Sequence, residues 1–133
     1  MEQCNYNVEF ENYTEKHYVK KFRKDYKEKW DATEQTIIAV CERIDRMLLY
    51  SRADLISSSG VYKLVKLDFA VEGTRISPKA SGNRCILLVD EKVRSVKILL
   101  VYSKNDIPTA NETQQWKKII RDEYKDIGKI FNL

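Results

Sequence analysis

Histidine is almost absent from this sequence of 133 residues, in which the only one is His17. A nucleophile activated by histidine and a zinc site of the HExxH type therefore have no support. The glycine motifs GxxxxGK[ST] and GxGxxG, which cradle nucleotide phosphates, are also missing. The carboxylates are scattered and form no pair suited to glycoside hydrolysis. These absences exclude the common classes of metabolic enzyme.

Cysteines and long apolar runs are scarce as well. The three cysteines, Cys4, Cys41 and Cys85, are far apart and form no CxxC pair, which indicates free thiols in a reducing cytoplasm. The longest apolar stretches are about seven residues, whereas a membrane span needs about 20. The first residues, MEQCNYNVEFENY, lack the basic and apolar regions of a secretory signal. We therefore expect one soluble cytoplasmic domain over residues 1–133.

Positive charge is concentrated in one segment. Residues 61–104 contain nine basic and four acidic side chains, whereas the rest of the chain contains 15 basic and 16 acidic ones. The net charge of +4 therefore arises within residues 61–104. Such a distribution favours an anionic partner for that segment.

Helical periodicity dominates the first half of the chain. Alternation over residues 6–13 predicts a short strand. Thr14 is the predicted N-cap of a helix over residues 15–29, and Asp31–Glu34 is read as a capping box that begins a second helix, ending near residue 49. The short link between the two helices predicts an antiparallel hairpin, and residues 51–60, which end in Ser57-Ser-Ser-Gly60, are predicted to be a loop.

The hydrophobic period changes to two at Val61, which indicates strands. Three are predicted, over residues 61–71, 84–90 and 95–104, followed by a helix over about 110–131 that begins at a second capping box, Thr109–Glu112. The last two strands lack polar alternation, so both of their faces should be covered. The predicted fold is α+β: an N-terminal strand, a helical hairpin, an antiparallel β-meander and a C-terminal helix. One core is predicted from Phe22, Tyr26, Ile37, Val40, Ile44, Leu48, Ile86, Leu88, Ile98 and Leu100.

Three segments of the strand region resemble the RelE-like toxins, the RelE/ParE superfamily of type II toxin–antitoxin systems. They are Tyr62-Lys-Leu-Val-Lys66, the basic turn from Gly73-Thr-Arg75 to Ser81-Gly-Asn-Arg84, and Val101-Tyr-Ser-Lys-Asn-Asp106. The helical hairpin also stands in the family's usual place. The resemblance covers roughly residues 5–107, and the C-terminal helix is longer than most members need.

The resemblance implies a ribosome-dependent mRNA endoribonuclease that inhibits translation without a metal or organic cofactor. In this family the RNA 2′-hydroxyl attacks the adjacent phosphate, so the protein orients the phosphate, stabilises charge and moves protons. The matching positions imply catalytic roles for Arg84, Tyr102, Lys63 and Lys66, and RNA contacts for Arg75, Lys79 and Lys104. The implied partners are a cognate antitoxin, the ribosome and mRNA. No membrane partner is implied.

Two features of the predicted site leave alternatives open. Lys63 and Lys66 are three residues apart, so on a regular strand only one of them faces the site. Several family members also have a His or Glu beside the terminal Tyr, whereas here residues 103–106 are Ser, Lys, Asn and Asp. The chain could instead be a non-catalytic relative, either a gyrase-directed toxin or an RNA-binding regulator, or a pure interaction module that uses the helix over Trp116–Phe131. The register of the last two predicted strands is also open. If the numbers of their opposed residues sum to 186, Arg84 lies opposite Tyr102 and both side chains project to one face.

Overall fold

A mixed sheet of five strands organises the chain in the computed structural model, which describes residues 5–133. The strands are β1 (Asn7–Phe10), β2 (Asp54–Ser59), β3 (Tyr62–Phe69), β4 (Asn83–Asp90) and β5 (Ser95–Tyr102). Their order is β1-β5-β4-β3-β2, in which β1 is parallel to β5 and the other neighbours are antiparallel. The α+β class and the antiparallel meander are therefore confirmed.

Helices precede β2 and follow β5. The first run comprises α1 (Asn12–Thr14), a π-helical turn (Glu15–Val19), α2 (Lys20–Tyr26), α3 (Glu28–Glu42) and α4 (Ile44–Leu49). One turn, α5 (Pro78–Ser81), lies between β3 and β4, and α6 (Glu112–Glu123) and α7 (Lys125–Ile130) end the chain. Each predicted long helix is thus interrupted, at Lys27, Arg43 and Tyr124.

The sheet separates two hydrophobic cores. Alternate side chains of β3 and β4, such as Val65 and Leu87, pack with apolar residues of α2, α3 and α4 on one face. Their neighbours, such as Leu64 and Ile86, pack on the other face with Trp116, Ile120 and Phe131 of the C-terminal segment. Both faces of β4 and β5 are covered, as their lack of polar alternation predicted.

A bulge in β5 turns two successive side chains to the same face. The paired numbers sum to 186 for Ile86 and Leu100, and to 185 for Leu87 and Ile98, so Leu99 is the extra residue. Leu99 and Leu100 accordingly both belong to the core beneath the C-terminal helices.

The predicted loop over residues 51–60 is wrong, because most of it forms strand β2. Its serines pair with β3, with Ser58 opposite Lys63 and Ser59 opposite Tyr62. The serines and Gly60 resembled loop residues, but the exposed edge of a sheet tolerates small polar side chains when a neighbouring strand supplies the pairing.

The three predicted helix caps are also wrong. Thr14 lies inside the helical run, and its buried hydroxyl oxygen accepts a hydrogen bond of 2.9 Å from the Val101 N–H. The second helix begins at Glu28, directly after Lys27 at φ 52°, and not at Asp31. Asn111 is the N-cap of α6 and makes no side-chain capping bond. Competing tertiary contacts and a backbone reversal therefore override these local signals.

The prediction of a single core is wrong for four of its members. Ile86, Leu88 and Leu100 belong to the core beneath α6 and α7. Tyr26 is 38% exposed and is the last residue of α2.

Cys41 and Cys85 are free and buried, whereas Cys4 lies outside the described residues. Among residues 5–133, no helix is both long and apolar enough to cross a membrane.

Truncation of Ile44 tests the core beneath α3 and α4. Its side chain is fully buried, so we expect Ile44→Ala to lower the free energy of unfolding by about 2–5 kcal/mol. The matched control is Leu49→Ala in the same helix, where the side chain is 75% exposed. Urea denaturation measures both variants. An Ile44→Ala loss below about 0.5 kcal/mol would contradict this core.

Candidate functional site

Arg84 and Tyr102 are directly opposite each other on β4 and β5, as the predicted register requires. Asp68 on β3 is opposite Arg84, so the three residues form a row across the sheet. Opposed residues in antiparallel strands project to the same face, which here is the face covered by α6 and α7. The fold thus brings the two predicted central residues together and adds an acidic side chain.

The guanidinium of Arg84 is surrounded by four acceptor oxygens of the protein. Its Nε is 3.0 Å from Asp68 Oδ1, and the side chain is only 12% exposed. The terminal nitrogens donate to the carbonyls of Pro78 at 3.3 Å, Lys79 at 3.2 Å and Asn83 at 2.9 Å. Arg84 therefore holds the α5 turn against the sheet, and in this conformation its donors are directed at the protein.

Tyr102 is buried and points at a carboxylate. Its ring is fully buried in the core beneath α6, and its hydroxyl donates a hydrogen bond of 2.7 Å to Glu112 Oε2. Burial raises the pKa of Tyr102 well above its ordinary value, and the bond to Glu112 raises it further. Tyr102 is therefore protonated at neutral pH and acts as a fixed donor.

Glu112 is the functional candidate that the sequence reading missed. It lies ten residues after Tyr102, in the first turn of α6, and it is partly exposed. The sequence does not indicate that Glu112 contacts Tyr102, because only the path of residues 103–111 brings α6 back over β5.

Lys63 and Lys66 project to opposite faces, as their spacing predicted. Lys63 donates to Glu91 Oε2 at 2.9 Å and is paired with Val89, whose side chain lies in the core beneath α3 and α4. Lys66 is opposite Ile86 and thus shares the face of Arg84. Of these two predicted catalytic lysines, only Lys66 is on the same face as Tyr102.

The predicted RNA-binding residues are exposed around one end of the sheet, where β3 and β5 end and β4 begins. Lys79 lies on α5, and Arg75, at φ 59°, lies in the loop before it. Lys104 follows β5 and covers Gly82, where an added Cβ would lie 3.0 Å from Lys104 Cβ. Lys29 reaches the same region, since its Cε would be 3.8 Å from a Cβ at Gly73.

These four cations, Lys29, Arg75, Lys79 and Lys104, are called the basic end below. Within residues 5–133, none of the four has an ion-pair partner. Unpaired and exposed, they can neutralise phosphates without first breaking a salt bridge. The proximity of Lys29 to Gly73 depends on how α3 packs against the loop after β3.

Neither the cysteines nor the carboxylates form a metal site in the described part of the chain. No group of three or more His, Cys, Asp or Glu side chains there is arranged to hold a metal ion. Burial raises the pKa of Cys41 to about 12, and that of Cys85 well above its ordinary value. Both thiols therefore remain protonated at neutral pH and are poor nucleophiles.

Replacement of Tyr102 by Phe tests the bond to Glu112. At pH 7 we expect the free energy of unfolding to fall by about 1–3 kcal/mol, because a buried bond to a charged group is lost. Since the pKa of Tyr102 is raised on folding, its contribution is full below pH 10 and is lost as the pH rises above that value. The variant should therefore lose less stability than the parent between pH 10 and pH 11.

The control for this measurement is Tyr50→Phe, because the Tyr50 ring is 71% exposed. Urea denaturation at a series of pH values gives both quantities. Equal alkaline losses of stability in the parent and in Tyr102→Phe would contradict the burial and bonding described for Tyr102.

Comparisons with known proteins were negative. No family model, no curated protein and no solved structure matches this chain.

Proposed function

We propose that this chain is a RelE-like toxin of a toxin–antitoxin system and cleaves mRNA on the ribosome. The observation that carries the proposal is the carboxylate of Glu112, held by the Tyr102 hydroxyl at 2.7 Å beside the row that contains Arg84. The order of a strand, a helical run, a meander and a C-terminal helix supports assignment to the RelE-like arrangement. A small antitoxin partner and a cytoplasmic location are part of the same proposal.

Glu112 is the proposed general base. Its carboxylate takes the proton of the RNA 2′-hydroxyl as that oxygen bonds to the adjacent phosphorus. The bond from phosphorus to the 5′-oxygen breaks, and the leaving oxygen takes a proton from Lys66 or from water. The products are a 2′,3′-cyclic phosphate and a 5′-hydroxyl. The bond from Tyr102 holds the carboxylate in place, which makes Tyr102 a positioning residue.

Electrostatic stabilisation is assigned to the exposed cations. The basic end follows the RNA backbone, and Lys104 is only two residues from Tyr102 along the chain. Arg84 acts indirectly in this conformation, because its bonds to the carbonyls of Pro78 and Lys79 fix the turn that presents Lys79. Arg84→Ala would thus impair both the turn and the site.

Replacement of Glu112 tests the proposed base. An amide oxygen can still accept the bond from Tyr102, so Glu112→Gln should keep the fold while losing the base. We expect the parent to cleave mRNA in a purified translation reaction, and the variant to be about 10²- to 10⁴-fold slower. Primer extension on the translated mRNA measures the cleavage.

The matched control is Glu123→Gln, an exposed position at the far end of the same helix, which should cleave at the parental rate. Equal rates for the parent and Glu112→Gln would remove Glu112 from the mechanism. Absence of mRNA cleavage by the parent would reject the nuclease, and DNA damage with intact translation would instead indicate a gyrase-directed toxin.

A second candidate function is RNA binding without cleavage. It is favoured by the bonding of Arg84 and the burial of Tyr102. The guanidinium of Arg84 contacts Asp68 and donates to three backbone carbonyls, and the ring of Tyr102 is buried. In that case the basic end would bind RNA and Glu112 would serve only to satisfy Tyr102. Binding with no cleavage product is the outcome that separates the two functions.

Salt dependence tests the basic end under either function. If its four cations each contact a phosphate, replacing all of them with Gln should reduce the slope of log K against log salt by about 3 for single-stranded RNA. Fluorescence anisotropy with a labelled oligoribonucleotide measures the slope. The control replaces an equal number of exposed cations on the C-terminal helices, Lys118, Arg121, Lys125 and Lys129. Equal losses in both sets would contradict a localised RNA surface.

A further inference from the structure

The margin of the sheet at β2 combines an unpaired strand edge with exposed apolar side chains. β2 is the last strand in the sheet order, and among the described strands it pairs only with β3. Its outer backbone N–H and C=O groups are therefore available to another extended chain. Four large apolar residues that are exposed in the described structure lie within residues 49–61: Leu49 at 75%, Tyr50 at 71%, Leu55 at 51% and Val61 at 39%.

The apolar side chains adjoin β2 on the face of α4. Leu55 is opposite Val65, and Val65 lies in the core beneath α3 and α4, so Leu55 projects toward that side. The chain from α4 to β2 is a tight turn, in which the N–H groups of Arg52 and Ala53 both donate to the Met47 carbonyl. This turn keeps Leu49 and Tyr50 close to the start of the strand.

The edge carries few of the devices that keep edge strands unpaired. Lys and Pro are absent from β2, and its only charged residue is Asp54. A bulge between Leu55 and Ser57 interrupts the ladder, but Ser57, Ser58 and Ser59 follow a regular register with β3. These small side chains leave the backbone beside them open to a partner strand.

The segment that forms this margin is rich in basic residues, of which Lys63 is paired with Glu91. Residues 43–66 contain five basic and two acidic side chains. A second copy of the chain would bring like charges together, whereas an acidic segment would be attracted.

We infer that β2 is a docking edge for an extended, acidic segment of a partner protein, which adds a sixth strand to the sheet. Its backbone pairs with Ser57–Ser59, and its alternate apolar side chains pack on Leu55, Leu49 and Tyr50. The inference does not depend on the proposed nuclease activity, because the edge and the basic end comprise different residues.

The test selects binders from a random library of displayed peptides about twelve residues long, with the full chain as bait. Enriched peptides should alternate apolar and acidic residues. On binding, they should slow amide hydrogen exchange within Ser57–Ser59, as measured by NMR. Leu49→Glu and Leu55→Glu should each weaken their binding by about tenfold or more. Val93→Glu is the matched control, since Val93 is 62% exposed in the turn between β4 and β5, and it should bind normally.

Three outcomes would overturn the inference. The first is that no enriched peptide binds the parent more tightly than the Leu55→Glu variant. The second is that enriched peptides protect other amides and leave Ser57–Ser59 unchanged. The third is that sedimentation shows a dimer of the parent that Leu55→Glu dissociates, in which case the occupant of the edge is a second copy of the chain.

Discussion

Burial of both faces of β4 and β5 is the constraint on which the rest of the structure depends. Val96, Ile98 and Val101 need an apolar layer on one side, and Leu99, Leu100 and Tyr102 need one on the other. The first layer comes from the helices before β2, and the second comes from α6 and α7. The C-terminal segment is thus part of a core, which is why Trp116 and Ile120 are almost completely buried.

Two side chains from other segments bond the β5 backbone near the bulge at Leu99. The Leu99 carbonyl accepts a bond of 2.7 Å from the Tyr124 hydroxyl, at the break between α6 and α7. Two residues later, the Val101 N–H donates to the Thr14 hydroxyl in the helical run that follows β1. An irregularity in a strand leaves backbone groups in need of partners, and here the side chains of Tyr124 and Thr14 supply them.

The packing of α6 on β5 also positions the residues of the candidate site. Because α6 must cover Tyr102, the first turn of α6 lies over the end of β5, and Glu112 meets the phenol there. Arg84 is likewise used for structure, since its bonds to Asp68 and to backbone carbonyls anchor the α5 turn. The groups open to solvent are the cations of the basic end and the partly exposed Glu112. A charged row that stabilises the fold therefore lies next to exposed charges that are suited to RNA.

By itself, the sequence determined the α+β class, the antiparallel meander and the two-sided burial of its central strands. These three properties follow from local hydrophobic periods and from a short turn. The pairing of Arg84 with Tyr102 does not, because the paired numbers sum to 185 beside the turn and to 186 only beyond the bulge at Leu99. Only the tertiary structure decided that residues 54–59 form a strand, that Lys66 rather than Lys63 shares the face of Arg84 and Tyr102, and that Glu112 meets Tyr102. The physical reason is that edge pairing, helix breaks and side-chain partners depend on which residues pack together across long separations, and a local period carries no information about that.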